Sequence, residues 1–210
     1  MAKGFKHGGS SEIKSGFPEF TYDGAYEFIA ESTKNWRIRF TTGGTLKFTK
    51  LLSAAKGIDV FLVGGGAGGA YALKGDSGAL HGGGGGGGAY SATHKGVTVV
   101  ENQSYEIVIG DGGAGGYSSS NEKGTDGGTT TAFGLQANGG SGSSGTDRTT
   151  YAFNEGTGET FGSVGASRSN GTDGRANSGN GGNGGTPTSA GGQWGGKGGT
   201  GIVIIRNTRR

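Results

Sequence analysis

Ile58-Asp59-Val60-Phe61-Leu62-Val63 runs without a break into Gly64-Gly65-Gly66-Ala67-Gly68-Gly69. The first half is apolar on both faces apart from Asp59, as a strand covered on two sides must be. Glycine tracts contribute no side chain to a core and lose the most backbone entropy on folding. A buried strand that opens straight into such a tract implies a β framework whose strand ends have grown glycine-rich extensions.

The chain repeats that junction. Tyr105 to Ile109 precedes the glycines of 110–116, and the run ending at Gly201 leads into Ile202-Val203-Ile204-Ile205, a second strand apolar on both faces. Of 54 glycines in 210 residues, only eight precede position 64. Two prolines and irregular glycine spacing exclude collagen. Disorder fits the local composition of the tracts, but not the apolar segments that bracket them.

The first half alternates with a period of two. Glu19-Phe20-Thr21-Tyr22, a turn at Asp23-Gly24 and Tyr26-Glu27-Phe28-Ile29-Ala30-Glu31 read as two strands, with a short helix over 25–31 as the competing reading. Trp36, Ile38 and Phe40 share one face and Arg37 and Arg39 the other, and the turn 41–44 leads to Leu46-Lys47-Phe48, which reads as a hairpin. Further strands are expected at 90–93, 97–100, 105–109 and 129–133. Many short strands without a long helix make the fold class all-β, a jelly-roll-like or β-sandwich framework.

In the stretch 177–185, Asn177, Asn180 and Asn183 recur every third residue, the polyproline-II period. Several such tracts side by side can pair N–H with C=O between chains, so the glycine-rich insertions are expected to pack as a polyglycine-II helix bundle. The domain reading is a flexible attachment lead at 1–16, β-hairpins at 17–63, and a glycine-rich domain at 64–210 ending in a buried strand at 202–206. The two last parts pack as one unit.

The charge of +3 is modest, the basic residues are interleaved with acids, and only the tail Arg206, Arg209 and Arg210 is locally basic, so no nucleic-acid partner is expected. The absence of cysteine removes disulfides and thiolate metal sites. No segment has the apolar length of a membrane span, and the first residues lack a signal-peptide core.

Residues 64–69 match G-x-G-x-x-G, but the following residues run into more glycine instead of a helix. Residues 191–198 resemble a phosphate loop until Gly198, which stands where Ser or Thr would hold magnesium. Asp111, Gly116 and Glu122 fall at three positions of a calcium loop, while Gly113 and Gly115 occupy ligand positions. His7, His81 and His94 are scattered. No catalytic residues, metal or cofactor are expected, and the chain reads as a non-enzyme. The side chains that punctuate the glycine half, Tyr71, His81, Tyr117, Tyr151, Phe153, Phe161 and Trp194, are the candidate binding residues. Such aromatics serve either recognition or the plugging of a seam between lobe and sheet, and Trp194, near the last strand, is assigned to the seam.

The strand motif 58–66, the glycine block into Gly88-Ala89-Tyr90-Ser91, Ser104-Tyr105-Glu106-Ile107-Val108-Ile109-Gly110, Thr131-Ala132-Phe133-Gly134 with Asn138-Gly139-Gly140, and the closing 201–206 resemble, in that order, the glycine-rich domain of phage and prophage tail-fibre or tail-tip proteins. The resemblance covers about 35–210. It implies a virion structural protein that contacts the host surface, with a host glycan or protein as partner and other virion proteins docked through the N-terminal lead. The class implies a closed homo-oligomer, taken as a trimer, located in the virion and released by lysis. A capsid or tail decoration protein is the alternative. Ice binding by a flat glycine face is disfavoured by the charges and aromatics of the lobe.

Overall fold

The computed structural model describes residues 5–6, 16–51, 57–74, 79–118, 123–142, 145–188 and 192–208. Of the lead at 1–16, all but Phe5, Lys6 and Gly16 lies outside them. The strands, in chain order, are β1 (Phe5–Lys6), β2 (Glu19–Tyr22), β3 (Tyr26–Ser32), β4 (Asn35–Phe40), β5 (Gly44–Lys50), β6 (Gly57–Val63), β7 (Leu73–Lys74) and β8 (Leu80–His81). They continue with β9 (Ser91–Thr98), β10 (Ser104–Val108), β11 (Thr130–Ala132), β12 (Leu135–Ala137), β13 (Thr150–Tyr151), β14 (Thr160–Phe161) and β15 (Ile202–Asn207). Among the described residues a single 3-10 turn spans Ala152–Asn154. The chain is all-β, and every strand pair among the described residues is antiparallel.

Two sheets, ordered β1-β3-β4-β15-β6-β9 and β12-β11-β10-β5-β2, share one apolar core. Trp36, Ile38 and Phe40 of β4, Val60 and Leu62 of β6, and Val203 and Ile205 of β15 meet Tyr22, Leu46, Phe48 and Ile107 of the opposing sheet. Tyr22 contacts Phe40 edge-on, with ring centroids 4.7 Å apart. Burial pushes the Tyr22 phenol well above its ordinary pKa, and Asp23 adds to the effect.

The alternation of 19–48 correctly assigns faces but not partners. Neither expected hairpin exists: β2 and β5 pair with each other in one sheet, while β3 and β4 pair in the other. The helix alternative at 25–31 is excluded by β3. The chain crosses between sheets at Asp23-Gly24-Ala25 and back at Thr41-Thr42-Gly43, and the two crossings clasp each other. Ala25 N–H donates to Thr42 Oγ1 at 2.7 Å, Thr41 N–H to the Ala25 carbonyl at 3.0 Å, and Tyr22 O–H to the Thr42 carbonyl at 2.6 Å. Those bonds pair backbone groups where the sheet ladders end, at corners that are themselves largely exposed.

β6 and β15, adjacent in the sheet from Ile202↔Val63 to Asn207↔Ile58, are buried on both faces as expected. Phe61, Val63, Ile202 and Ile204 point away from the sandwich core into a second cluster, capped by Phe153, Phe161 and Ala89. Asp59 and Arg206 are direct cross-strand partners on that outer face. Arg206 is therefore not part of an exposed basic tail: it is 4% exposed, and its Nε lies 3.2 Å from Asp59 Oδ2. Asp59 Oδ1 accepts the Gly96 N–H at 3.1 Å, at the irregularity where β9 slips register against β6. Gly96 has φ +66°, which suits glycine at a bulge.

Candidate functional site: the distal end of the glycine lobe

The glycine tracts form one hydrogen-bonded body on the edge of the sandwich from which β6 and β10 emerge. Gly65, Gly66 and Ala67 donate to Gly128, Gly199 and Gly87, and Gly68, Gly69 and Ala70 then donate to Thr125, Gly196 and Gly84, all at 2.8–3.0 Å. The same three segments thus receive bonds in rotation, with a period of three residues. On the acceptor side the Gly66 and Gly69 carbonyls take Gly113 and Gly116, the Ala67 and Ala70 carbonyls take Gly182 and Gly185, and Gly65 takes Gly140. Segment 64–70 is therefore ringed by neighbours on every side and is buried from 64 to 69. The N–H groups of 64–70 all have backbone acceptors, so the G-x-G-x-x-G match offers no donor to a phosphate.

Only glycine permits this spacing. A Cβ on Gly66 would lie 2.0 Å from the Asn180 carbonyl oxygen, and one on Gly198 would lie 2.0 Å from that of Gly66. The asparagine period has a use here too. Asn180 Oδ1 accepts the Ser163 N–H at 3.1 Å and Asn183 Oδ1 the Ala166 N–H at 2.7 Å, so side chains three apart satisfy backbone donors three apart on the adjoining segment.

The pairing also sets direction. Segments 110–116 and 179–185 run parallel to 64–70, away from the sheets, while 84–88, 124–128 and 195–199 run back towards them. The described residues that follow 70, 116 and 185 and precede 84, 124 and 195 therefore lie at the end remote from the sandwich. Tyr71 follows Ala70 there, Tyr117 follows Gly116, and Trp194 precedes Gly195, whose N–H donates to the Gly116 carbonyl at 2.8 Å. Tyr117 and Trp194 are 59% and 71% exposed and stand one residue beyond that bond on adjoining segments. Tyr71 is half-buried with its ring against Gly192, and His81 is exposed in β8 beside the exposed Leu80.

Four of the seven candidate residues, Tyr71, His81, Tyr117 and Trp194, thus share the distal end. Trp194 is not in the seam: closeness in sequence to β15 is misleading, because the intervening residues 195–201 span the full height of the lobe. Phe153 and Phe161 take the seam role, at 5% and 1% exposure against Phe61. Tyr151 is half-buried on β13 nearby.

Several charged side chains escaped the sequence reading because their partners lie far along the chain. Arg206 also pairs with Glu155, and its guanidinium stacks over the Phe153 ring at 4.0 Å. Arg148 lies 3.9 Å over the Tyr90 ring and donates to the Gly88 carbonyl at 2.9 Å. Glu159 bridges Arg39 and Arg175 at 2.7 and 2.9 Å. Asp147 accepts from the Thr149 hydroxyl and from the N–H groups of Thr149 and Val164, which hold its carboxyl below the usual range. Asp111 is exposed, and Glu122 of the calcium-loop pattern lies outside the described residues, among which no group of His, Asp and Glu is arranged to hold a metal. No helix among the described residues is long and apolar enough to cross a membrane.

No curated protein matches the chain. A glycine-rich domain family model matches residues 41–171, which take in β5 to β14 and the glycine tracts between them but not the tract of 174–201 or β15, and the chain belongs to that glycine-rich domain family.

Proposed function

We propose that this protein is a structural component of a phage or phage-like particle, at the tail fibre or tail tip, where the distal end of the glycine lobe contacts the host surface. The observation that carries the reading is the display of Tyr117 and Trp194, with His81 and Leu80, on one end of a lobe whose interior backbone groups are bonded to one another. Exposed aromatics on a rigid support lose little side-chain entropy on binding a glycan or a protein. The order of strand and glycine motifs, similar to that of tail-fibre proteins, supports the placement.

The three-residue bonding period supports a polyglycine-II bundle as the construction of the lobe. Amide exchange checks it: Gly66, Gly69, Gly182 and Gly196 are expected to stay protected for minutes or longer, and complete exchange within seconds would remove the rigid support.

Binding of labelled protein to bacterial envelope fragments tests the contact. The double variant Tyr117→Ala, Trp194→Ala is expected to lose at least tenfold in affinity with a stability change within about 0.5 kcal/mol, since both side chains are exposed. Unchanged binding by the variant would rule out the tip as the contact surface. Binding by neither protein would favour a decoration protein with a purely structural role.

A further inference from the structure

The sequence holds four Asn-Gly pairs: Asn138-Gly139, Asn170-Gly171, Asn180-Gly181 and Asn183-Gly184. A glycine that follows asparagine has no Cβ to hinder its backbone nitrogen, which can reach the asparagine side chain and close a five-membered imide. Two freedoms are needed. The glycine N–H must be able to leave any hydrogen bond, and the side-chain amide must be able to turn its Cγ onto that nitrogen. Three of the pairs lack them. Gly181 N–H donates to the Ser163 carbonyl and Gly184 N–H to that of Ala166, both at 2.8 Å. The Asn180 and Asn183 side chains are tied to the same neighbours, accepting the Ser163 and Ala166 N–H groups, and Asn183 Nδ2 also donates to Thr172 Oγ1. Gly171 N–H is held by a longer bond, 3.2 Å to the Gly184 carbonyl.

Asn138-Gly139 differs on both counts. Asn138 is exposed, and neither its side-chain amide nor the Gly139 N–H has a partner among the described residues. The Asn138 carbonyl, by contrast, is fixed. It accepts the Tyr90 N–H at 3.1 Å and would lie 2.2 Å from a Cβ on Gly64, while Gly140 N–H donates to the Gly65 carbonyl at 2.9 Å. The pair therefore stands where the chain leaves β12 for the lobe, beside the start of the central segment.

We infer that Asn138 is a site of spontaneous covalent modification, deamidating through attack by the Gly139 nitrogen, while the hydrogen bonds of the lobe hold the other three pairs. The Gly139 nitrogen gives up its proton and bonds to Asn138 Cγ, the Cγ–Nδ2 bond breaks, and ammonia leaves with a succinimide behind it. Water then opens the ring. Cleavage between the nitrogen and Cγ gives aspartate; cleavage of the original peptide bond gives isoaspartate, whose main chain runs through Cβ and Cγ and whose former carbonyl carbon carries the new carboxylate. One water is consumed and one ammonia released. The isoaspartate form adds one main-chain atom beside Gly64 and takes the acceptor of the Tyr90 N–H out of the chain path.

The test is to age the full chain in mildly alkaline buffer and follow each asparagine by peptide mass mapping, with methyl transfer by an isoaspartyl methyltransferase reporting the isoaspartate. Asn138 is expected to convert at least about tenfold faster than Asn180 and Asn183, which can react only from a locally opened lobe, with Asn170 between them. In denaturant the four should convert at similar rates, because only the folded contacts distinguish them. Asn138→Gln should remove the fast conversion, since its imide would need a six-membered ring; the wild-type map itself needs no variant to fold. Equal rates at Asn138 and Asn180 in the folded protein would overturn the inference, as would an Asn138 that stays intact when folded and converts when denatured.

Discussion

Gly198→Ala should lower the melting temperature by roughly 6–12 °C, equivalent to about 3 kcal/mol or more, whereas Gly84→Ala should leave it unchanged or slightly raised. The added methyl is the same, and only its surroundings differ. At Gly198 it would sit 2.0 Å from the Gly66 carbonyl oxygen, 2.4 Å from its carbon and 2.8 Å from the Ala67 oxygen. These atoms are backbone of the central segment, which is bonded to neighbours on every side and has nowhere to move. At Gly84 nothing lies within 4 Å, and alanine restricts the unfolded chain, a gain of about 0.4–1 kcal/mol where the native backbone tolerates it. Thermal unfolding of the pair checks this. Equal melting temperatures would mean that the lobe contributes nothing to cooperative stability.

Arg206→Leu should cost about 3–5 kcal/mol, more than Asp59→Leu, and the double variant should recover most of the loss. Asp59 has no exposed surface, and its remaining donor after loss of Arg206 is the Gly96 N–H. Removing the arginine strands a carboxylate away from water. Removing the aspartate leaves Arg206 paired with Glu155, which is 37% exposed in its side chain, and stacked on Phe153. Because Asp59 and Arg206 are direct partners on β6 and β15, two leucines would join the adjacent cluster of Phe61 and Ile204. Denaturant unfolding of the four proteins gives the coupling energy, and additive losses would show that the pair acts as two separate residues.

The faces of the strands were legible because alternation is local: Trp36, Ile38 and Phe40 turn inward whatever they pair with. The two-sided burial of 58–63 and 202–205 was legible for the same reason, since the first is apolar at every position but Asp59 and the second at every position. Strand partners were not, because an alternating strand can cross to the opposing sheet as readily as fold back, and the clasp between 23–25 and 41–43 that decides the matter joins residues with no mark of it in their own windows. The candidate site shows the same division. The sequence singled out Trp194 and Phe161 together as aromatics among glycines, and nothing local separates them. Trp194 sits one residue from an outer turn and is exposed, while Phe161 lies under β6 and is buried.

By itself the sequence determined that the chain is all-β, that two of its strands are covered on both sides, and that its glycine tracts repeat with a period of three along 177–185. These properties are carried by the chemistry of neighbouring residues. Only the tertiary structure decided that the tracts surround one another with 64–70 at the centre, that four aromatic or histidine side chains from distant segments share one end, and that Asp59 meets Arg206. Each depends on contacts between residues far apart in the chain, where a carbonyl at 2.0 Å from an absent Cβ, not any local preference, selects glycine.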